Sequence, residues 1–431
     1  MKLDEALIRK IAGQVGTPFW LYDARMIRQR IADVKFMSSA PGVQARFAMK
    51  ACPATKVLQE MAKADIWIDA VSGNEALRAL RAGHAAGNHP PVVCFTADVF
   101  RDNALAVVLE NQLLPNIGSP GMIRQLAAAG YRGPVSIRIN PGFGHGHVNT
   151  CDTGGPSSKH GIWHAQVREV AEAAKAAGMQ VVMLHAHIGS GPKFQELHDN
   201  LTRLALEYRE MVKSFPDLQA LNLGGGIPHN YRERETQIPI EPLHELFTTC
   251  HERISAAAHR DLRLEIEPGR YYVAPACTLI TQVHDIKKTQ TNDKGAGATF
   301  AMVDAGFVDL VRPAMYGSYH HIEVLGRQTD DPHQVREPIV VAGPLCESGD
   351  VFTRGGADEE LVPRMLPRPE PGDFLALRDA GAYGSAMSSN YNSIGRAPQI
   401  WLETDGTAEL MTRRETLDDL LRTESGDKLA I

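Results

Sequence analysis

The sequence has few aromatics (6%), no paired-cysteine motif, no unbroken apolar run and no surplus of positive charge. Each shortage excludes something. Phosphate backbones are gripped by basic surfaces, and 45 Lys and Arg against 51 Asp and Glu leave a formal charge of -6, so nucleic acid is not the main partner. A membrane span needs about 20 consecutive apolar residues, and every long hydrophobic window here is interrupted by a charge, a glycine or a proline. The cysteines, Cys52, Cys94, Cys151, Cys250, Cys277 and Cys346, are scattered without CxxC spacing, which fits a reducing, cytoplasmic setting. The opening MKLDEALIRKIAG is an amphipathic mixture of acids and bases rather than a signal peptide. What the chain does hold is ordinary core material, 43% hydrophobic and 22% charged residues, enough for a soluble globular protein. Its length suits roughly two to three domains, or one α/β barrel of about 250 residues with a further unit.

Short apolar runs alternate with helical patterns from VQARFAMK onward. IWIDAV, VVCFT, LLPNIG, PVSIRIN, QVVMLHAHIG, LQALNLGGG and LRLEIEP complete a set of eight strands. Helices are expected over Ala54–Ala64, Asn74–Ala82, Met122–Ala129, Ala165–Ala177, Leu197–Lys213 and Leu243–Ala257. Eight parallel strands joined by right-handed crossovers close most naturally into a (β/α)8 barrel, here over residues 36–284. Beyond Tyr272 the runs TLITQVHDIKK, TFAMVDAGF, HQVREPIVVAG, DFLALRDAG and QIWLETDG, separated by Gly, Pro and Asp turns, predict antiparallel strands. They define a β-rich domain over residues 1–35 and 285–431, which the N-terminal PFWLY strand joins. Asp23 follows that strand as the expected N-cap of DARMIRQRIADVK.

Barrels of this kind bind ligands at the C-terminal ends of their strands, with phosphate favoured after strands seven and eight. The seventh run ends in Gly224, Gly225 and Gly226, whose backbone N–H groups are free to close on a phosphate; glycine clusters are also plain turns. Lys50 ends the first strand, where a solvated surface charge is the ordinary alternative. Glu267 and Arg270 follow the eighth, where a surface ion pair is the alternative. His187 and Ser190 end the sixth, where a histidine is equally at home as a hydrogen-bonded core residue. Together a phosphate cradle, a lysine able to form a Schiff base, a flat imidazole and a carboxylate converge on pyridoxal phosphate. The carboxylate decides the chemistry, since an anion beside the pyridine nitrogen keeps it protonated and makes the ring an electron sink. An arginine there suits racemase chemistry better.

Over nearly its whole length the sequence resembles the fold-type III pyridoxal-phosphate decarboxylases of the alanine racemase type of fold, and within them the diaminopimelate decarboxylase family. The resemblance rests on FAMKA, DAVSGNE, NPGFGHGH, SKHGIW, HAHIGSG, NLGGGIP, EIEPGR, VDAGFVDLVRPAMYGSYHH, GPLCESGDVF and GAYGSAMSSNYNS. It implies decarboxylation of meso-2,6-diaminopimelate to L-lysine and CO2. Lys50 then carries the cofactor, His187 stacks on its ring, Ser190 and Gly224 to Gly226 hold its phosphate, Glu267 pairs with the pyridinium, and Tyr383 completes the site. The resemblance further implies that Arg270, Arg312 and Tyr316 bind substrate carboxylates, that Glu347 recognises the distal amino group, and that Cys346 donates a proton to the carbanion. It implies a homodimer in which Cys346 and Glu347 enter the partner's pocket. Two guanidinium forks suit a dicarboxylate, because each grips a carboxylate through paired charge-assisted bonds.

Two departures stand out. HIGSG replaces the family's commoner HIGSQ, and IGRAP follows NYNS where an arginine is more usual, with Arg396 as the possible substitute. The loop at 144–158 has the length and glycine content of a lid or of a plain surface loop. Rival functions are decarboxylation of ornithine, arginine or a D-amino acid, a non-catalytic relative, and a metal-dependent barrel hydrolase. The last draws on His185 with His187, and His145 with His147, each pair two apart on one face.

Overall fold

The computed structural model describes residues 3–144, 153–189, 193–234, 236, 238–293, 295–327, 335–355 and 360–426. The chain divides into two compact units, one of Met1–Met26, Tyr231–Glu233 and Ala274–Ile431, the other of Ile27–Asn230 and Arg234–Val273. Strand β1 (Phe19–Asp23) belongs to the first unit. The second is built on β2 (Val43–Ala48), β3 (Trp67–Ala70), β4 (Val93–Ala97), β5 (Leu114–Ile117), β6 (Pro134–Asn140), the two-residue β7 (Ile162–Trp163), β8 (Gln180–Ala186), β9 (Ala220–Asn222) and β10 (Arg263–Ile266).

Parallel pairing runs β2-β3-β4-β5-β6-β8-β9-β10 and returns from β10 to β2, so the eight strands expected from the sequence close a barrel. Strands covered on both faces read as continuous apolar runs, which is why they were legible. One buried cluster packs Cys94, Leu114, Val182, Met183 and Ala220. Another is ionic. Arg46, fully buried, donates to both oxygens of Glu265 at 2.7 and 3.1 Å and stacks over Trp67, whose ring also lies 5.0 Å from the Arg263 guanidinium.

The predicted helices form with their ends displaced by one to three residues, and DAVSGNE gains a local explanation. Ser72 Oγ accepts the Glu75 N–H at 3.1 Å while Glu75 Oε2 accepts the Val71 N–H at 2.7 Å, a reciprocal cap on the helix Gly73–Arg81. A helix over Ala104–Glu110 was not anticipated. ALAVVLE is seven residues long, too short for helical periodicity to declare itself.

The first unit continues with β11 (Cys277–Lys288), β12 (Thr299–Val303), β13 (Ile322–Val324), β14 (Arg336–Ala342), the small hairpin β15 (Arg354–Gly355) and β16 (Glu360–Leu361), then β17 (Arg364–Pro367), β18 (Phe374–Leu377), β19 (Gln399–Leu402) and β20 (Ala408–Thr412). Its main sheet runs β17-β14-β12-β11-β1-β19-β20, with β18 pairing β11 and β13. Strand β1 lies between β11 and β19, as PFWLY suggested. Asp23 Oδ1 accepts the N–H groups of Arg25 and Met26, the expected N-cap of the helix Ala24–Met37. The N-terminal stretch forms a helix, Glu5–Val15, that buries Ile8 and Ile11 against Phe19, Leu21, Ile280 and Ile400. Each isoleucine contributes about 1.5–3 kcal/mol.

Two expectations are corrected. The sheet is mixed, because β12 runs parallel to β14 and β1 parallel to β19; alternation of side chains reports a strand and not its direction. The barrel unit starts at Ile27 and ends at Val273, not at 36 and 284, because β11 pairs with β1, β12 and β18.

Candidate active site

β2 ends at Ala48 and passes into a single 3-10 turn, Met49–Ala51, that carries Lys50. The turn after β10 lies against it. Ala48 donates its N–H to Pro268 O at 3.3 Å, and a Cβ on Gly269 would sit 3.0 Å from Ala48 O and 3.2 Å from the Cβ atoms of Ala48 and Ala51. Glycine in EPGR is thus a packing requirement. It brings Arg270, first residue of the short helix Arg270–Val273, to the same end of the barrel.

The glycine loop after β9 is wedged between the neighbouring strand ends. A Cβ on Gly224, whose φ is +75°, would lie 2.5 Å from Ala186 O and 2.8 Å from His187 Cα; one on Gly225 would lie 2.5 Å from Glu267 O. Gly226 (φ +98°) leaves the same 2.5 Å to Gly189 O. Gly225 donates its N–H to His187 Nδ1 at 3.1 Å. That fixes the ring and places its proton on Nε2. Burial, then the Lys50 charge, hold His187 well below its ordinary value, so the imidazole is neutral at pH 7.

Glu267 is 4% exposed. Its Oε1 takes a 2.9 Å bond from His185 Nε2 and its Oε2 a 3.1 Å bond from Asn222 Nδ2. Burial pushes the carboxyl up, but the charge and hydrogen bond of His185, with His187 and Lys50, outweigh it and leave the group well below the usual carboxylate range. Asp69 at the end of β3 moves the other way. Its burial and the repulsion of Glu267 raise it, with Lys50 and Thr96 opposing. Lys50, His187, the glycine loop, Glu267 and Arg270 therefore gather at the C-terminal ends of four adjacent strands, β2, β8, β9 and β10.

Of the other predicted residues, Arg312, Tyr316, Cys346, Glu347 and Tyr383 belong to the other unit. Arg312, 3% exposed, opens the helix Arg312–Tyr316; its Nη1 is 2.8 Å from His320 Nε2 and its guanidinium is 4.9 Å from the Tyr231 ring. His320 Nδ1 donates to Arg378 O at 2.9 Å, so His320 accepts from the arginine and orients it. Tyr316 ends that helix, before Gly317. Cys346 and Glu347 are exposed. Their loop is tied by buried Asp350, which accepts the N–H groups of Phe307 and Leu345 at 2.7 and 2.9 Å, and by Asn392 Oδ1, which accepts the Cys346 N–H at 3.2 Å. Tyr383 sits in the left-handed region at φ +57°, a strained conformation of the sort that collects at functional sites.

A family model described as pyridoxal-dependent decarboxylase, pyridoxal binding domain, matches residues 25–274. The diaminopimelate decarboxylase of Escherichia coli is 41% identical over 425 residues, covering 97% of this chain and 96% of its own. The chain belongs to the diaminopimelate decarboxylase family. Solved structures agree. One crystal structure of a diaminopimelate decarboxylase matches with a TM-score of 0.87 at 40% identity, covering 96% of this chain and 95% of that one. The diaminopimelate decarboxylase of Helicobacter pylori complexed with L-lysine matches with a TM-score of 0.81 at 29% identity, covering 96% and 98%.

Pyridoxal phosphate is the cofactor of this pyridoxal-dependent family, and the barrel residues of this diaminopimelate decarboxylase relative fit it. The loop has no room for a Cβ, the imidazole is neutral and fixed, and each oxygen of Glu267 carries one protein hydrogen bond, leaving acceptor capacity for a ring N–H. Ser190 and the Gly191 departure lie outside the described residues, as do His145, His147 and most of the 144–158 loop. Arg396 is engaged elsewhere, its Nη1 2.9 Å from Glu415 Oε1. One nitrogen of each of His185 and His187 is bonded, to Glu267 and to Gly225, and among the described residues no group of three or more His, Cys, Asp or Glu side chains is placed to hold a metal ion. Sequence reasoning missed Asn222, the bond of His185 to Glu267, the loop anchors Asp350 and Asn392, and His320, which orients Arg312. The same-face spacing of His185 with His187 was noticed, but for a different chemistry.

Proposed function

We propose that this protein decarboxylates meso-2,6-diaminopimelate to L-lysine and CO2, with Lys50 anchoring the cofactor and Glu267 facing its ring nitrogen. The observation that carries the reading is the ionised Glu267, each oxygen holding one hydrogen bond, at the end of the barrel strand next to that of the lysine. Bound at this mouth, pyridoxal phosphate supplies a protonated ring that takes up the electron pair left when CO2 departs. The chain's own groups do the rest. The Gly224 to Gly226 backbone, with Ser190, holds the phosphate; the neutral ring of His187 packs flat on the cofactor; Tyr383 completes its surroundings.

Arg270, Arg312 and Tyr316 bind the substrate carboxylates, and Arg312 is suited to it because His320 and Tyr231 hold its fork in one orientation. Glu347 takes the distal amino group. Cys346 delivers its Sγ proton to the carbon that loses CO2. Both residues are exposed on a single chain, which supports their service in the site of a partner subunit of a homodimer. Among the described residues no helix is long and apolar enough to cross a membrane, and the scattered free cysteines support a cytoplasmic setting.

The test is product analysis with the loaded enzyme offered meso-diaminopimelate, ornithine, arginine and D-amino acids in turn. Lysine from the first at a kcat/KM at least tenfold above the others is the expected result. Faster turnover of ornithine or arginine overturns the substrate and leaves the family in place.

A further inference from the structure

Asn222 is 1% exposed and sits at the last position of β9, in register with His185 on β8 and Glu265 on β10. Its amide does three things at once. Oδ1 accepts the Gly224 N–H at 2.7 Å; Nδ2 donates to Glu267 Oε2 at 3.1 Å and approaches Glu265 Oε2 at 3.4 Å. The backbone is pinned as well, because Tyr208 Oη donates to Asn222 O at 2.9 Å.

The surroundings decide which way the amide points. Glu265 is paired to Arg46 and Arg263 and is an anion, and so is Glu267, so the position between them must be a donor toward both carboxylates. Gly224 presents an N–H and requires an acceptor. Among side chains only an amide offers two donors on one atom and an acceptor on the next. An aspartate has no proton to give, and a lysine has nothing to accept with.

We infer that Asn222 is a positioning residue for the cofactor, one amide holding the phosphate-side Gly224 and the ring-side Glu267 in fixed relation. The inference rests on the proposed role of Glu267 at the ring nitrogen. Asn222 is buried and acts through the carboxylate it orients and the loop it tethers. Loss of its donor leaves Glu267 with one bond fewer, and a carboxylate in its place adds like charge, which favours the protonated form of Glu267.

The experiment uses full-length protein loaded with pyridoxal phosphate and compares Asn222→Asp, Asn222→Ser and Glu267→Gln with the parent. Asn222→Asp keeps the shape and the acceptor for Gly224; Asn222→Ser keeps an acceptor without adding charge, should the aspartate variant fail to fold. Tyr208→Phe serves as a structural control, expected to lower the melting temperature with the cofactor spectrum unchanged. The readouts are the dissociation constant of the cofactor from the apoprotein, the absorption band of the bound cofactor, and kcat against KM.

If the inference holds, the Asn222 variants move the absorption band in the same direction as Glu267→Gln, raise the dissociation constant at least tenfold, and lose kcat at least tenfold with KM changed less than threefold. A band shift in Glu267→Gln with parent-like binding and absorption in the Asn222 variants overturns the inference and leaves the role of Glu267 standing. An unmoved band in Glu267→Gln removes that role, and the inference with it.

Discussion

Burial favours the protonated form of a carboxyl group, and Glu267 stays ionised because His185, His187 and Lys50 together outweigh that effect. The first of these is open to direct trial. Replacing His185 by Phe removes the 2.9 Å bond and raises Glu267, so the acid limb of the kcat profile moves to higher pH. An acid limb that stays in place would show that Glu267 does not set the reactive ionisation. At this scale the sequence was legible for placement, since Lys50, the glycines and Glu267 were expected at strand ends and lie there. It was not legible where the chemistry lies in a partner. The letters of HAH and NLGGG were in view, but the bonds from His185 and Asn222 exist only once β8, β9 and β10 are in register, which no local spacing reports.

The strand ends and the loop that follows β9 act as one element, held backbone to backbone. Gly224→Ala places a methyl group 2.5 Å from Ala186 O in a left-handed backbone, so the loop must move. The expected cost is about 1–3 kcal/mol of stability, read by chemical denaturation, with cofactor affinity at least tenfold weaker. A stable variant of unchanged affinity would detach the loop from the cofactor. The barrel strands were readable because each is a short apolar run covered on both sides. The helix Ala104–Glu110 was hidden because seven residues are too few for helical periodicity to show, and the parallel pairs β12-β14 and β1-β19 were hidden because strand direction depends on long-range topology.

On the scale of the whole molecule, buried acids make stability depend on pH in opposite directions. Glu267, lowered in the folded state, adds stability above the ordinary carboxylate range and loses it as pH falls toward its folded value. Asp309, 3% exposed, is pushed up to about 7 by burial, with Asp304 and Asp350 adding repulsion and Arg414 opposing it. Its contribution is fully present below about pH 4 and is lost as pH rises to about 7, because the unfolded chain ionises first. Asp309→Asn is therefore expected to gain on the parent as pH rises from about 4 to 7, by a few kcal/mol at most, in denaturation curves taken across that window. A constant difference between the two proteins speaks against a buried, protonated Asp309. The domain plan was legible in outline, but its edges shifted because β11 is claimed by the sheet it pairs with. Function at this scale is tested most directly by lysine and CO2 release from meso-diaminopimelate, using the purified protein with pyridoxal phosphate beside its Lys50→Ala variant. Stoichiometric lysine and CO2 from the parent, falling at least a thousandfold in the variant, are expected. Cofactor bound by the parent without any turnover of meso-diaminopimelate would refute the diaminopimelate assignment and leave the family in place.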